Sequence, residues 1–375
     1  MRRTPIVVLC AMALAAPTSM TVAATAAPVV HAAAHVPANA PKVTVTRTTR
    51  GFKLRWTGVA GARGYHVWMR QAVGGDAGDH DYLVTGEKWV PLQSAMAAST
   101  RSTNVGASAF TYETHANYAS AAWGVSAFNS AGDGPIGASR AGCAKAYFVS
   151  ARGSGQNPSS SDDNGYAYGM GRYGYTVYRQ AMTRLHIGPG QFQADSVNYP
   201  ARSVQWWGTV DPEQYKMSRD SGIAVTRTII RSIVGHCTRA RIIVSGFSQG
   251  ADAVAYAFNR SSASTKKHIT MLQLIADPHR NVADRGIRFR PAEKSQNGWY
   301  GPRHRFTHRT DGYQIETWCG SDDDICSRSG TVSVPNHVSY DCDVQWAAES
   351  IAARARSIGW KPKADLTHPT CTMAY

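Results

Sequence analysis

From Pro41 onward the chain alternates. "KVTVTRT" and "GFKLRWTGV" set apolar and polar residues at successive positions, the period of a strand with one buried face. "GYHVWMRQ", "FTYET" and "AAWGVSAFNSAGDGP" continue in this style, broken by Gly/Asp/Asn clusters that end strands. Strands at such spacing, with no helical period, predict an antiparallel sandwich. After Cys143 the texture changes. "AKAYFVS", "FQADSVNYP", "RIIVSG", "HITMLQLIADP" and "YQIETWC" predict strands. Between them, "EQYKMSRDSGIAVTRTIIRSIV" carries Ile223, Val225, Ile229, Ile230, Ile233 and Val234 at helical spacing. "ADAVAYAFN" and "VQWAAESIAARARSIG" predict two more helices. Alternation of this kind predicts an α/β fold with a central parallel sheet covered on both faces, preceded by a small all-β domain.

The residues ahead of Pro41 fit neither pattern. Arg2 and Arg3 precede an apolar run from Ile6 to Ala16 and small residues through Ala26, so residues 1–26 read as a signal peptide. That run is far short of the roughly 20 residues a membrane span needs. Residues 27–40, "APVVHAAAHVPANA", read as an Ala/Pro linker. The expected product is a secreted, soluble monomer with no transmembrane segment. Beyond Cys10 in the leader lie Cys143, Cys237, Cys319, Cys326, Cys342 and Cys371. An even number in an exported chain favours disulfides over metal ligands. No CxxC or HExxH is present, and neither a metal nor a cofactor is expected.

The formal charge of +15 falls to +13 once Arg2 and Arg3 leave with the leader. The densest basic segment runs from Arg285 to Arg309, with Trp299 and Tyr300 interleaved. It reads as a solvated face or as a contact for an anionic or polymeric surface. An exported chain without a nucleic-acid module is not expected to bind nucleic acid.

One stretch points to chemistry. In "RIIVSGFSQGADAVAYAFNR" an apolar strand runs into Gly246-Phe247-Ser248-Gln249-Gly250 and directly into a helix. Glycines flanking a serine at a strand-to-helix turn let the backbone bend sharply and present the hydroxyl at the carboxyl edge of the sheet. A serine nucleophile needs a base and an orienting acid, which in α/β-hydrolases follow it along the chain. His268, His279, His304, His308, His337 and His368 are candidate bases, and Asp277, Asp311, Asp322, Asp323 and Asp324 candidate acids. The backbone N–H of Gln249, next after the nucleophile, is the expected oxyanion donor.

Two resemblances narrow these choices. "LRWTGVAGARGYHVW" and "WGVSAFNSAGDGP" resemble the strands of a fibronectin type III domain over residues 41–139, which implies that Trp56 and Tyr65 are core residues. "YFVSARGSGQ", "VNYPA", "CTRARIIVSGFSQGADAV", "ADPHR", "CGSDDDIC" and "HVSY" resemble, in order, the cutinase family of serine esterases. The resemblance places a cutinase-like catalytic domain in residues 143–375. It implies Ser248 as nucleophile, His337 as base, and Asp323 as acid, with Asp322 and Asp324 flanking it and Asp324 the competing assignment. It also implies Ser154 as the second oxyanion donor, and disulfides Cys143–Cys237 and Cys319–Cys326, leaving Cys342 to Cys371.

The substrates it implies are cutin-type polyesters, short and medium acyl esters or lipids, with acetylated polysaccharides or cell-envelope mycolyl esters as alternatives. A different class of reading is a non-catalytic surface-binding protein on an idle hydrolase fold. Two departures stand out: the all-β domain, for which a spacer is the default role, and a long basic insert, "RFRPAEKSQNGWYGPRHRF", expected as an extra loop near the active-site mouth.

Overall fold

The computed structural model describes residues 35–76, 82–92, 94–106, 122–156, 169–202, 211–284, 287–290, 296–306, 314–320, 322–328, 337 and 339–360. The signal-peptide segment, the linker up to residue 34 and the strand expected at "FTYET" lie outside them. No described helix is long and apolar enough to cross a membrane.

The alternating N-terminal segments form the expected antiparallel sheets. Strands β1 (Val43–Arg47), β2 (Gly51–Trp56), β3 (Gly64–Asp76), β4 (Tyr82–Pro91), β5 (Met96–Ala97), β6 (Ser102–Gly106), β7 (Ala122–Asn129), β8 (Gly132–Asp133) and β9 (Gly137–Arg140) make two sheets. One has the order β1-β2-β6; the other runs β4-β3-β7-β8, with β5 on β3 and β9 on β7. All their pairings are antiparallel. Inward residues of both sheets, Phe52, Leu54, Tyr65, Val67, Met69, Trp123 and Val125 among them, share one core. Trp56 and Tyr65 are both buried, with ring centroids 5.7 Å apart.

The second body is α/β. Strands β10 (Ala146–Ala151), β11 (Phe192–Ser196), β12 (Ile242–Phe247), β13 (Ile269–Ile275), β14 (Arg288–Arg290) and β15 (Gln314–Trp318) alternate with helices α1 (Gly171–Leu185), α2 (Pro212–His236), α3 (Gln249–Asn259), α4 (Ala263–Lys266) and α5 (Asp343–Ser357). Among the described residues the strands form one sheet, ordered β11-β10-β12-β13-β15-β14 and parallel throughout. Both faces are covered, which is why these strands read as near-continuous apolar runs. Phe148, Ile243, Met271 and Trp318 meet α1 and α5, while Tyr147, Val149, Val244 and Leu272 meet α2 and α3.

Two elements had no clear sequence signature. Helix α1 opens "GRYGYTVY", where the glycines mask a stripe of Tyr173, Val177, Tyr178, Ala181 and Leu185 that is buried. Its Gly174 is required by packing, since a Cβ there would lie 2.3 Å from Ser150 Oγ. Strand β14 comes from the basic insert, so part of that segment is sheet rather than loop, with Arg288 opposite Glu316 on β15.

The connection from β10 goes to β11 on one side, and the next strand, β12, lies on β10's other side. The strand order therefore reverses between β10 and β12, the crevice where open α/β sheets place their ligands. Ala151 pairs with Gly246, so the two strands end level there.

The sandwich docks at the opposite, amino-terminal edge. Arg47 reaches from β1 to Gln193 Oε1 (2.6 Å), to the Gly190 carbonyl (3.3 Å) and to the Gly142 carbonyl. Gly190 N–H donates to the Thr49 carbonyl at 3.1 Å. The approach is so close that a Cβ on Gly190 would lie 2.0 Å from the Thr48 carbonyl oxygen. Next to this joint, the Cys143–Cys237 disulfide ties the start of β10 to the end of α2. Gly190→Ala must therefore push the two bodies apart, at a cost of about 1–3 kcal/mol. Calorimetry should show the variant's sandwich melting separately from its α/β body; a transition identical to that of the parent would show that the joint carries no strain.

Candidate active site

The turn after β12 is the first element of the site. Ser248 has φ 54° and ψ −122°, a left-handed value that a side chain tolerates only when its surroundings enforce it. The enforcement comes from both sides. Ser248 N–H donates to the Ile275 carbonyl on β13 at 2.8 Å, and α3 begins at the next residue. A Cβ on Gly246 would lie 2.4 Å from the Gly250 carbonyl oxygen. A Cβ on Gly250 would lie 2.3 Å from the carbonyl oxygen of Ala151 and 2.5 Å from that of Arg152. The two glycines are thus what lets the turn close against its own helix and against the end of β10.

The hydroxyl so presented meets a histidine from 89 residues further on. His337 Nε2 lies 2.9 Å from Ser248 Oγ, and its Nδ1 lies 3.0 and 2.9 Å from the two carboxylate oxygens of Asp323. An ionised carboxylate only accepts, so Nδ1 carries the proton and Nε2 is left to accept from the serine hydroxyl. All three are buried, at 6%, 4% and 1% exposure for Ser248, His337 and Asp323. Phe247, which precedes Ser248 in the turn, stacks on the imidazole with centroids 5.4 Å apart.

Asp323 is held as firmly as the histidine it orients. Its loop is closed by the Cys319–Cys326 disulfide, Cα–Cα 5.8 Å. The Ile325 N–H donates to Oδ1 at 2.9 Å, and the Tyr340 hydroxyl donates to Oδ2 at 2.6 Å. That hydroxyl also accepts from the Gly320 N–H at 2.9 Å. Burial, and then the charge of Asp323, push the Tyr340 phenol well above its ordinary value, so it remains a donor. Tyr340 was not singled out from sequence; the signal was its place in "HVSY", three residues after His337. Of the flanking acids, Asp322 is exposed and Asp324 is buried.

The two residues expected as oxyanion donors, Gln249 and Ser154, come from different turns. Gln249 sits at the first position of α3, where the N–H has no intrahelical acceptor. Its side chain is spanned by α2, accepting from Ser218 Oγ at 3.1 Å and donating to the Tyr215 carbonyl at 3.3 Å. Ser154 lies half-buried in the turn after β10, on the other flank of the crevice. That turn is braced from within. Gly153 N–H donates to Gln156 Oε1 at 2.8 Å and Gly155 N–H to the Ala201 carbonyl at 2.7 Å. The buried Arg152 guanidinium donates to the Gln156 and Tyr199 carbonyls at 2.9 and 2.5 Å.

The other candidate residues are placed elsewhere. His279 Nδ1 lies 3.0 Å from Oδ2 of Asp252, one turn after Ser248 on α3. Tyr215 donates to the same oxygen at 3.1 Å, and Arg219 lies 3.7 Å from it. Tyr300 stacks on His279, its phenol pushed up to about 12 by burial and then by Asp252. Asp277 forms a fully buried ion pair with Arg303. Within the basic insert, read as a solvated face or a surface contact, Arg303 is therefore interior, whereas Arg288, His304 and Arg305 are exposed. His268 Nδ1 donates to the Ala240 carbonyl at 3.2 Å, before β13 and away from the serine turn. His308, Asp311 and His368 lie outside the described residues. Cys342 is disulfide-bonded; its expected partner Cys371 also lies outside them. Among the described residues no group of three His, Cys, Asp or Glu side chains could hold a metal ion.

A family model described as Cutinase matches residues 142–355. Cutinase CUT1 of Coprinopsis cinerea is 30% identical over 173 residues, 45% of this chain and 74% of that protein. Among solved structures, an acetylxylan esterase is similar at 18% identity and TM-score 0.43, covering 57% of this chain and 98% of that one. A cutinase-like protein from Cryptococcus sp. is similar at 17% identity and TM-score 0.41, covering 58% and 96%. The parallel sheet with its serine turn, and the match across more than half its length, show that the chain belongs to the cutinase family and is a carboxylic ester hydrolase.

Proposed function

We propose that this is a secreted serine esterase working through a Ser248–His337–Asp323 triad and an acyl-enzyme. The observation that carries the reading is the unbroken line of contacts from the Ser248 hydroxyl through both imidazole nitrogens to a buried carboxylate. Ser248 Oγ attacks the ester carbonyl carbon as its proton passes to His337 Nε2, and Asp323 stabilises the imidazolium. The carbonyl oxygen becomes the oxyanion, facing the N–H of Gln249 and the Ser154 turn, with each such donor worth about 3–4 kcal/mol. The imidazolium then protonates the departing alcohol. Water, deprotonated by the same nitrogen, releases the acid and restores Ser248. Alignment of this kind supports a working site over an idle scaffold.

The substrates proposed are cutin-type polyesters, short or medium acyl esters, or lipids. Export is supported by the leader-like residues 1–26 and by disulfides, which persist in oxidising compartments. The sandwich is proposed as a fibronectin type III-like spacer, consistent with its docking at the amino-terminal edge of the sheet, away from Ser248.

Ser248→Ala should abolish hydrolysis of a chromogenic butyrate ester and labelling by a fluorophosphonate, with the circular dichroism spectrum unchanged. Retained turnover would remove Ser248 from the mechanism. Asp323→Asn should lower kcat by about 10⁴-fold through the wrong imidazole tautomer, and Asp324→Asn by little; the opposite ranking would reassign the acid. Tyr340→Phe deletes one donor to Asp323 and should lower kcat roughly tenfold, equivalent to about 1–2 kcal/mol. Wild-type kcat in that variant would leave the hydroxyl with no part in positioning the acid.

A further inference from the structure

Helix α2 supplies none of the triad, yet one of its side chains is held from both flanks of the crevice. Tyr215, Ser218 and Gly222 lie along the buried face of the helix. A Cβ on Gly222 would lie 3.0 Å from that of Ala253, so α2 and α3 run close together, and the Tyr215 hydroxyl donates to Asp252 at 3.1 Å. Ser218, midway along this face, is buried and meets the residue after the nucleophile. The end of the Gln249 amide that faces the Tyr215 carbonyl must be the NH2, because a carbonyl only accepts. Its Oε1 is thereby turned to Ser218, whose hydroxyl donates to it at 3.1 Å.

The same hydroxyl oxygen accepts from the Arg202 N–H at 3.2 Å. That N–H belongs to the peptide group whose carbonyl, on Ala201, accepts from the Gly155 N–H at 2.7 Å. Gly155 follows Ser154 directly. A peptide group is planar and stiff, so this one joins the Ser154 turn to Ser218 as a rigid link. Its own place is fixed. Ala201 is left-handed, at φ 46°, a conformation that an alanine keeps only under constraint. Just before it, the Tyr199 hydroxyl donates to the Arg152 carbonyl and the Arg152 guanidinium donates back to the Tyr199 carbonyl, both at 2.5 Å.

We propose that Ser218 is a positioning residue that sets the spacing of the two oxyanion donors, the Ser154 turn and the Gln249 N–H. The contacts run without a gap from that turn through the Ala201–Arg202 peptide and the Ser218 hydroxyl to the Gln249 side chain. The Gln249 N–H needs such support. It has no intrahelical acceptor, and it follows Ser248, whose backbone is strained. Anchoring the Gln249 side chain keeps its N–H from swinging out of line, and donors held in place stabilise charge as it develops without having to reorganise. The inference rests on the acyl-enzyme reading of Ser248, because the oxyanion belongs to that reaction.

The test reads turnover of nitrophenyl butyrate beside inhibition by a trifluoromethyl ketone, whose carbonyl carbon adds the Ser248 oxygen reversibly and whose oxygen then carries the oxyanion. Ser218→Ala should lower kcat about tenfold with KM within about twofold of the parent, and should weaken the ketone by about the same tenfold factor. In a Gln249→Met background, where the side-chain contact is already gone, adding Ser218→Ala should lower kcat by no more than about twofold. A general packing defect would give the full loss in both backgrounds. If Ser218→Ala does not fold, Ser218→Cys, close in volume but a weaker donor, takes its place with the same readouts and an expected loss of about threefold. Parent kcat and ketone affinity in the folded variant, or losses that add in full across the two backgrounds, overturn the inference and leave the triad intact. Turnover retained in Ser248→Ala would overturn the triad, and this inference with it.

Discussion

There is no room for one carbon atom between Gly250 and the end of β10. The α-carbon of that residue faces the carbonyl oxygens of Ala151 and Arg152 so closely that only glycine fits, and the rest of the site follows from this contact. It seats the first turn of α3 on the crevice where the strand order reverses. That seating brings the Gln249 N–H and the Ser154 turn to opposite flanks of one small space. It also forces Ser248 into a left-handed backbone, a conformation costing on the order of 1–3 kcal/mol that survives only because β13 holds its N–H and α3 follows at once.

Precision on the acid side comes from a different device. A loop of seven residues' separation, closed by Cys319–Cys326, leaves its backbone few alternatives, and Tyr340 and the Ile325 N–H then fix the two carboxylate oxygens separately. Both oxygens also face the imidazole. Each oxygen of the buried carboxylate thus has a protein donor besides the imidazole, so the side chain cannot turn without breaking one of these bonds.

Much of this was legible in the residues, for reasons that can be named. Parallel strands buried on both faces write themselves as apolar runs, so β10, β12, β13 and β15 were found, and the glycines around Ser248 announced a steric need borne out by the close approaches at Gly246 and Gly250. Which histidine and which aspartate complete the site was not legible from spacing, because the partners are brought in by loops of irregular backbone; only the resemblance of "CGSDDDIC" and "HVSY" singled them out. Helix α1 was hidden because Gly171 and Gly174 interrupt its stripe, the first packed against Arg152 and Gln156 and the second against Ser150. The interior placing of Arg303 was equally hidden. A basic residue in a basic stretch reads as surface until its acid, Asp277, is seen 26 positions earlier at the end of β13. Tyr340 shows the same limit, since nothing in a tyrosine's neighbours reveals that its hydroxyl stops a carboxylate from turning.

The joint between the two bodies sets a direction as well as a distance. Arg47 and the glycines at 188 and 190 hold the sandwich at the rim of the sheet where the strands begin, whereas Ser248 lies at the rim where they finish. A molecule adsorbed or chemically coupled to a support through its sandwich would therefore stand upright, mouth toward the bulk liquid.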